Sequence, residues 1–377
     1  METLINPSIR DFKKIIVKIG SSLLVGESNQ LQSEWLDSVC DDIAEMHKRG
    51  QSVIIVTSGA ISAGVESLGL NKSGLRLEEK QAAAAAGQMK LTQSYQSSLD
   101  RHNLNVAQVL LTRGDTEDRR RYLNSRETLR TLLKLNAIPL INENDTVVTD
   151  EIRFGDNDQL AAYVAVMMDA DLCILLSDVD GLYTKDPSSF NDAKHISKVY
   201  NINEEHFSMA GVTKSKYGTG GMQTKLLAAE ICMKSGCNVV ITNGKVKKPI
   251  SSLDNKKIST WFLSNAESQK IRKKWILSNY ISGNRLIIDE SAALGLKSGH
   301  SLLPRDVLDV KGSFKRGDTV EVALGEKNIL GKGLSAFGSE DIKLIMGHES
   351  DAIEQILGFK GRSEIIHIDD LVIGSKT

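Results

Sequence analysis

Cysteine is scarce in this chain of 377 residues: only Cys40, Cys173, Cys232 and Cys237 occur. So few, so widely spaced, exclude a disulfide framework and a zinc site, and they suit a reducing cytoplasm. Cys173 lies inside an apolar run and reads as core. Long hydrophobic runs are missing too. The longest, Leu160 to Met168, is followed at once by Asp169 and Asp171. A membrane span needs roughly 18 such residues. Met1 to Lys14 mixes charges with Pro7 and has no apolar secretory core. Nor does one sign of charge dominate: 47 Lys and Arg face 48 Asp and Glu, a net charge of -1. That balance argues against nucleic acid or an anionic membrane as a partner.

What is present is ordinary for a globular protein: 41% hydrophobic and 25% charged residues. That is enough for a full core and argues against disorder. At roughly 150 residues per domain, the length implies about two domains.

The first part alternates short apolar runs with longer amphipathic stretches. The runs Lys14 to Ile19, Ser52 to Thr57, Asn105 to Leu111, Ala137 to Ile141, Leu172 to Leu176 and Asn238 to Ile241 read as strands. Several are near-continuous Val, Ile and Leu, as in strands buried on both faces. Trp35, Val39, Ile43 and Met46 recur at helical spacing, with Gly50 at the stop. Gln81 to Leu99 opens on five alanines, and Arg119 to Leu135 carries a leucine face. Strands alternating with helices predict a mostly parallel sheet covered on both sides, with ligands beyond the strands' carboxyl ends. After Phe262 the texture changes. A polar connector over 266–284 is followed by short segments rich in glycine, a small β-rich domain over 285–362. The tail over 363–377 reads as peripheral.

Small and polar residues follow the predicted strands. Lys18-Ile19-Gly20-Ser21-Ser22 can bring an ammonium and open backbone to an anion, or be a surface lysine near a turn. Ser58-Gly59-Ala60 through Gly64 suits a helix-start anion site and equally suits close packing of small residues. Asn142 to Thr146 and Phe154 to Asp158 are the densest polar region, and their amides and carboxylates suit a small zwitterion. Leu176 to Tyr183, with Ser177, Asp178 and Asp180, can support a nucleotide or a metal, or form a turn. Tyr217 to Lys225 is glycine-rich, precedes a helical stretch and delivers Lys225 into its first turn. A cation there opposes the helix dipole, which points to a bound anion.

From Ile15 to Phe262 these segments, in order and spacing, resemble the amino acid kinase family, and within it the kinases of glutamate. Arg153 to Ala165 and Leu176 to Tyr183 are the most characteristic. Ser301-Leu302-Leu303-Pro304 and Gly312 to Asp318 are similar to the PUA domain, a pseudo-barrel known from RNA-modifying enzymes. The chain departs from these patterns at Ser259-Thr260, Ser291-Ala292 and Arg305-Asp306.

The resemblance implies a three-layer α/β/α kinase domain over 1–265, with a mostly parallel sheet, followed by a PUA-like pseudo-barrel. It implies transfer of the γ-phosphoryl of ATP, with Mg2+, to the γ-carboxylate of L-glutamate, the first step of proline biosynthesis. Lys18 and Lys225 would flank the moving phosphate and Asp156 would orient them. Ser58, Asp145 and Asn157 would bind glutamate. Lys18, Ser177, Asp178, Thr219, Gly220, Gly221, Met222, Gln223, Thr224 and Lys225 would bind ATP. Proline as feedback inhibitor, a homo-oligomer and a cytoplasmic location are implied as well. The residues by themselves leave a different carboxylate substrate open. An RNA-binding role through the second domain is disfavoured: Arg285 to Arg362 holds eleven Lys and Arg against twelve Asp and Glu.

Overall fold

The structure, a computed structural model, describes residues 7–26, 30–71, 74–149, 156–211, 221–255, 257–264, 280–325 and 328–373. The chain divides into two compact units, Met1–Ser268 and Gln269–Thr377.

The first unit is built on an eight-stranded sheet. Its strands are β1 (Lys14–Ile19), β2 (Ser52–Val56), β3 (Asn105–Leu111), β4 (Ala137–Glu143) and β5 (Leu172–Ser177). A hairpin of β6 (Leu182–Tyr183) and β7 (His195–Ile196) stands apart. β8 (Lys198–Val199), β9 (Asn238–Asn243) and β10 (Ser259–Phe262) complete the sheet in the order β3-β4-β2-β1-β5-β9-β10-β8. All pairs are parallel except β9 with β10. The helices are α1 (Ser21–Leu24), α2 (Ser33–Lys48), α3 (Ala60–Ser67), α4 (Leu77–Asp100), α5 (Arg113–Glu117), α6 (Arg119–Lys134), α7 (Asn157–Met168), α8 (Glu204–Met209) and α9 (Met222–Ser235). The six predicted strands and the four predicted helical stretches are all present, with ends shifted by a few residues.

Alternation along the strands sorts side chains into two cores. Ile15, Val17 and Ile19 of β1 pack with Trp35, Val39 and Ile43 of α2 and with Tyr95 and Leu99 of α4. Ile16 faces the other way, with Leu160, Val164 and Met168 of α7 and Leu226 and Cys232 of α9. This is the three-layer arrangement. It also fixes the direction of Lys18, which shares the parity of Ile16 and so points to α7 and α9.

β10 was not anticipated. Thr260 explains its place: Leu182 N–H donates to Thr260 Oγ1 at 2.7 Å, and that hydroxyl donates to the Ile196 carbonyl at 2.6 Å. One hydroxyl thus pins both strands of the small hairpin to the sheet.

The second unit holds β11 (Tyr280–Ile288), β12 (Val307–Lys311), β13 (Thr319–Leu324), β14 (Asn328–Leu334) and β15 (Leu371–Ile373), in the order β12-β11-β13-β14-β15. Two expectations change here. The connector was placed over 266–284, but β11 begins at Tyr280, and residues 265–279 lie outside the described ones. The tail is not peripheral. Ile365 and Ile366 are fully buried in the core of the second unit, and β15 pairs antiparallel with β14. Burying those side chains and satisfying the open edge of β14 supplies the reason. Among the described residues no helix is long and apolar enough to cross a membrane.

Candidate active site

The first turn of α7 organises the site. Asp156 caps this helix, its Oδ1 accepting the Asp158 N–H at 3.0 Å. The cap sets the phase of the helix, so Asp158 turns inward onto the sheet with no solvent exposure. Ala161, Ala162 and Ala165 follow on the buried side and allow the close approach.

Two lysines meet on Asp158. Lys18 Nζ, from β1, lies 2.5 Å from Asp158 Oδ1 and 3.8 Å from Asp156 Oδ1. Lys225 Nζ, from the first turn of α9, donates to Asp158 Oδ2 at 3.0 Å. Burial alone would raise the Asp158 carboxyl, but Lys18 and then Lys225 outweigh it and hold it well below the ordinary carboxylate range. Burial likewise works against the Lys18 ammonium, and Asp158 followed by Asp156 more than offsets it, so its pKa is raised. Lys18 is therefore no surface lysine: it is 5% exposed, and Lys225 is 7% exposed.

Expected to orient both lysines, Asp156 approaches Lys18 alone; the carboxylate that holds the pair is Asp158. A carboxylate two residues further on, in phase with an apolar stripe, was the available signal. Two lysines facing two carboxylates balance formally. Burying four charges costs several kcal/mol per ion even when paired, so apolar residues would serve stability as well or better. Such a group reads as functional.

A second polar group lies beside the first, joined through Asn157. The Asn157 Nδ2 donates toward Thr57 O at 2.6 Å, Asn142 Oδ1 at 2.8 Å and Ser58 Oγ at 3.0 Å. Asn142 in turn donates to Gln88 Oε1 at 2.7 Å. Ser58 stands where β2 turns into α3, and Gly59 at φ +93 caps that helix in a conformation that favours glycine. Asp145 lies half-buried in the turn after β4. Gln88 went unremarked in the sequence, although it sits on the buried stripe of α4 with Ala84, Leu91 and Tyr95.

Across the sheet's carboxyl edge, Ser177 ends β5 and its hydroxyl donates to Asp178 Oδ1 at 3.1 Å. Asp178 itself is exposed. Gly221 caps α9; its N–H donates to Thr224 Oγ1 at 3.0 Å, and Gln223 Nε2 donates to Gly211 O at 3.0 Å. Met222 starts the helix. Thr219 and Gly220 lie outside the described residues, as do Arg153, Phe154 and Gly155.

Comparison with known proteins agrees with this layout. The model of the amino acid kinase family matches residues 13–243, and that of the PUA domain matches residues 284–357. Glutamate 5-kinase of Paramagnetospirillum magneticum is 51% identical over 362 residues, covering 96% of this chain and 98% of that protein. Glutamate 5-kinase of Rhodospirillum rubrum is 49% identical over 362 residues, 96% of each chain. The Agrobacterium fabrum glutamate 5-kinase is 46% identical over 360 residues, 96% of this chain and 92% of that protein.

Proposed function

The chain belongs to the amino acid kinase family, and we propose that it transfers the γ-phosphoryl group of ATP to the γ-carboxylate of L-glutamate, forming L-glutamyl 5-phosphate for proline biosynthesis. Near-full-length likeness to glutamate 5-kinases supports the substrates. The observation that carries the chemistry is the carboxylate of Asp158 with a lysine on each oxygen.

The glutamate γ-carboxylate, with an unperturbed pKa near ~4.3, is ionised at neutral pH and needs no general base. The obstacle is repulsion between that anion and the phosphates. Catalysis then rests on positioning and positive charge. Lys18 and Lys225 stabilise charge as it passes from nucleophile to leaving group. Asp158 holds both ammonium groups at fixed distances, and Asp156 adds to the hold on Lys18. The Lys225 position at a helix start places its charge together with the helix N–H dipoles.

Asp145 is assigned to the glutamate ammonium, and Ser58 and Asn157, which share a hydrogen bond, to the same substrate. Asn157 has three acceptors round its nitrogen, which turns its carbonyl oxygen away from them, an acceptor also suited to an ammonium. Ser177, Asp178 and the stretch from Thr219 to Lys225 are assigned to the nucleotide.

Among the described residues no three His, Cys, Asp or Glu side chains gather as a metal cage. Mg2+ takes one or two carboxylates and otherwise arrives with phosphates and water, so it needs no such cage. Asp156 Oδ2, buried and without a hydrogen-bond partner among the described residues, is the oxygen that suits it. Bound there, Mg2+ supplies neutralising charge to the phosphates. Four buried free thiols support a cytoplasmic setting. Proline feedback and a homo-oligomer rest on the family resemblance.

The test is ADP release with glutamate, aspartate and N-acetylglutamate in parallel, with hydroxylamine trapping of the acyl phosphate. Glutamate-dependent ADP and γ-glutamyl hydroxamate are expected. Faster turnover of another carboxylate would overturn the assignment.

A further inference from the structure

We propose that Gln88 is a positioning residue for glutamate: through Asn142 it holds the Asn157 amide in the one orientation that leaves the Asn157 carbonyl oxygen free for substrate. The inference rests on placing Asn157 on the glutamate side of the site.

Three side-chain amides form a relay with one consistent polarity. Glu143 N–H donates to Asn142 Oδ1 at 2.9 Å, which fixes that atom as the oxygen. Asn142 Nδ2 must then find an acceptor, and Gln88 Oε1 supplies it at 2.7 Å. With Asn142 Oδ1 so fixed, the atom of Asn157 facing it at 2.8 Å must be the nitrogen, as the Thr57 carbonyl at 2.6 Å also requires. A flipped Asn157 would set oxygen against oxygen at both contacts.

Gln88 is poorly suited to a purely structural role. It is 7% exposed, and among the described residues its buried Nε2 has no hydrogen-bond partner. A buried N–H left unpaired is costly, and that cost is tolerated here where Oε1 is needed to pair the buried Asn142 Nδ2. Only the Oε1 half of the side chain is used.

Its placement is built into the packing. α3 and α4 cross with Gly64 against Gly87, and a methyl at either would overlap the facing backbone of Ala83 or Ala60. That close crossing sets the next residue, Gln88, under the end of β4 where Asn142 lies.

Four variants decide the matter: Gln88→Met, Gln88→Glu, Asn157→Ala and the Gln88→Met/Asn157→Ala double. Steady-state kinetics are measured for both substrates. Gln88→Met is expected to raise the glutamate KM about tenfold while the ATP KM stays within about twofold; tenfold corresponds to ~1.4 kcal/mol. Gln88→Glu keeps an acceptor for Asn142 and should recover most of the loss. Because Gln88 acts through Asn157, the double variant should be no worse for glutamate than Asn157→Ala alone. Additive effects, or an unchanged glutamate KM in Gln88→Met alongside a raised one in Asn157→Ala, would overturn the relay and leave the glutamate site standing. An unchanged glutamate KM in Asn157→Ala would overturn the site assignment and the relay with it. If Gln88→Met does not fold, Gln88→Glu decides: a glutamate KM as high as that of Asn157→Ala sinks the proposal.

Discussion

Lys18 and Lys225 hold opposite oxygens of one carboxylate, that of Asp158, at 2.5 and 3.0 Å. Removing that carboxylate leaves two buried ammonium groups, with Asp156 near Lys18 and not Lys225. Breaking a buried pair from one side commonly costs ~3–5 kcal/mol. Asp158→Asn should therefore lose roughly that much stability and most of its kcat.

The pH dependence of that loss has a definite sign. The Asp158 pKa is lowered on folding, so its contribution is present above the unfolded value near ~3.9 and is lost as pH falls through the folded one. The Lys18 pKa is raised, so its contribution is complete below about 10.4 and is lost as pH rises through the folded value. Urea unfolding of wild type and Asp158→Asn should give a constant difference between about pH 5 and 9. A difference that already shrinks at pH 6 would contradict the pairing.

Lys225→Ala should lower kcat about a hundredfold, the ~3 kcal/mol typical of one transition-state contact, with the glutamate KM nearly unchanged. Its charge is needed most while the phosphoryl group moves. A variant with normal kcat would remove Lys225 from the mechanism.

Asp145→Ala should act on one substrate only. Loss of the ammonium partner raises the glutamate KM at least tenfold and leaves that of ATP within about twofold. If proline occupies the same place, the variant also loses proline inhibition. Equal effects on both substrates would show Asp145 to be a turn residue.

How legible was this site in the sequence? Lys225 was legible, because a glycine-rich loop and a cation opposing the helix dipole both mark it. Lys18 was legible as a candidate but not in direction, since Ile15, Ile16 and Val17 are apolar on both sheet faces and alternation carries no sign there. Asp156, Asn157 and Asp158 are all good caps. A helix starting one residue earlier or later would turn a different acid inward, so the sequence pattern does not say which acid bridges the lysines. Gln88 was hidden because one polar residue in an alanine-rich helix reads as surface until the stripe through Leu91 and Tyr95 is seen. The strand β15 was missed for a different reason: three residues near a chain end carry little pattern, and only the open edge of β14 makes them a strand.

Gly87→Ala tests the packing beneath the site. The added methyl would overlap the Ala60 carbonyl across the α3–α4 crossing. Helix propensity favours alanine by roughly 0.8–1.0 kcal/mol, while overpacking against rigid backbone costs 1–3 kcal/mol or more, so the net change is destabilising. The melting temperature should fall, and glutamate affinity should fall with it as Gln88 shifts. A stabilised variant would show that the two helices can separate without strain.

The last prediction concerns the second unit. Every residue assigned to the kinase site lies at or before Lys225, and β10, the last strand of the eight-stranded sheet in sequence, ends at Phe262. A cut at Ser282 would fall inside β11 and leave its first three residues without the rest of the strand, so the chain should end at Ser268, where the first unit ends. Among the described residues the cores of that unit draw on residues up to Leu263, and the core of the second unit on residues from Leu286 onward. Units with separate cores fold separately as a rule. The shortened protein is therefore expected to fold and to release ADP with glutamate at a kcat within a few-fold of the full chain. What should change is assembly or proline response, because a domain without assigned chemistry acts through contacts. Light scattering and a glutamate-dependent ADP assay check both. A folded, monodisperse fragment without activity would show that the second unit completes the active site.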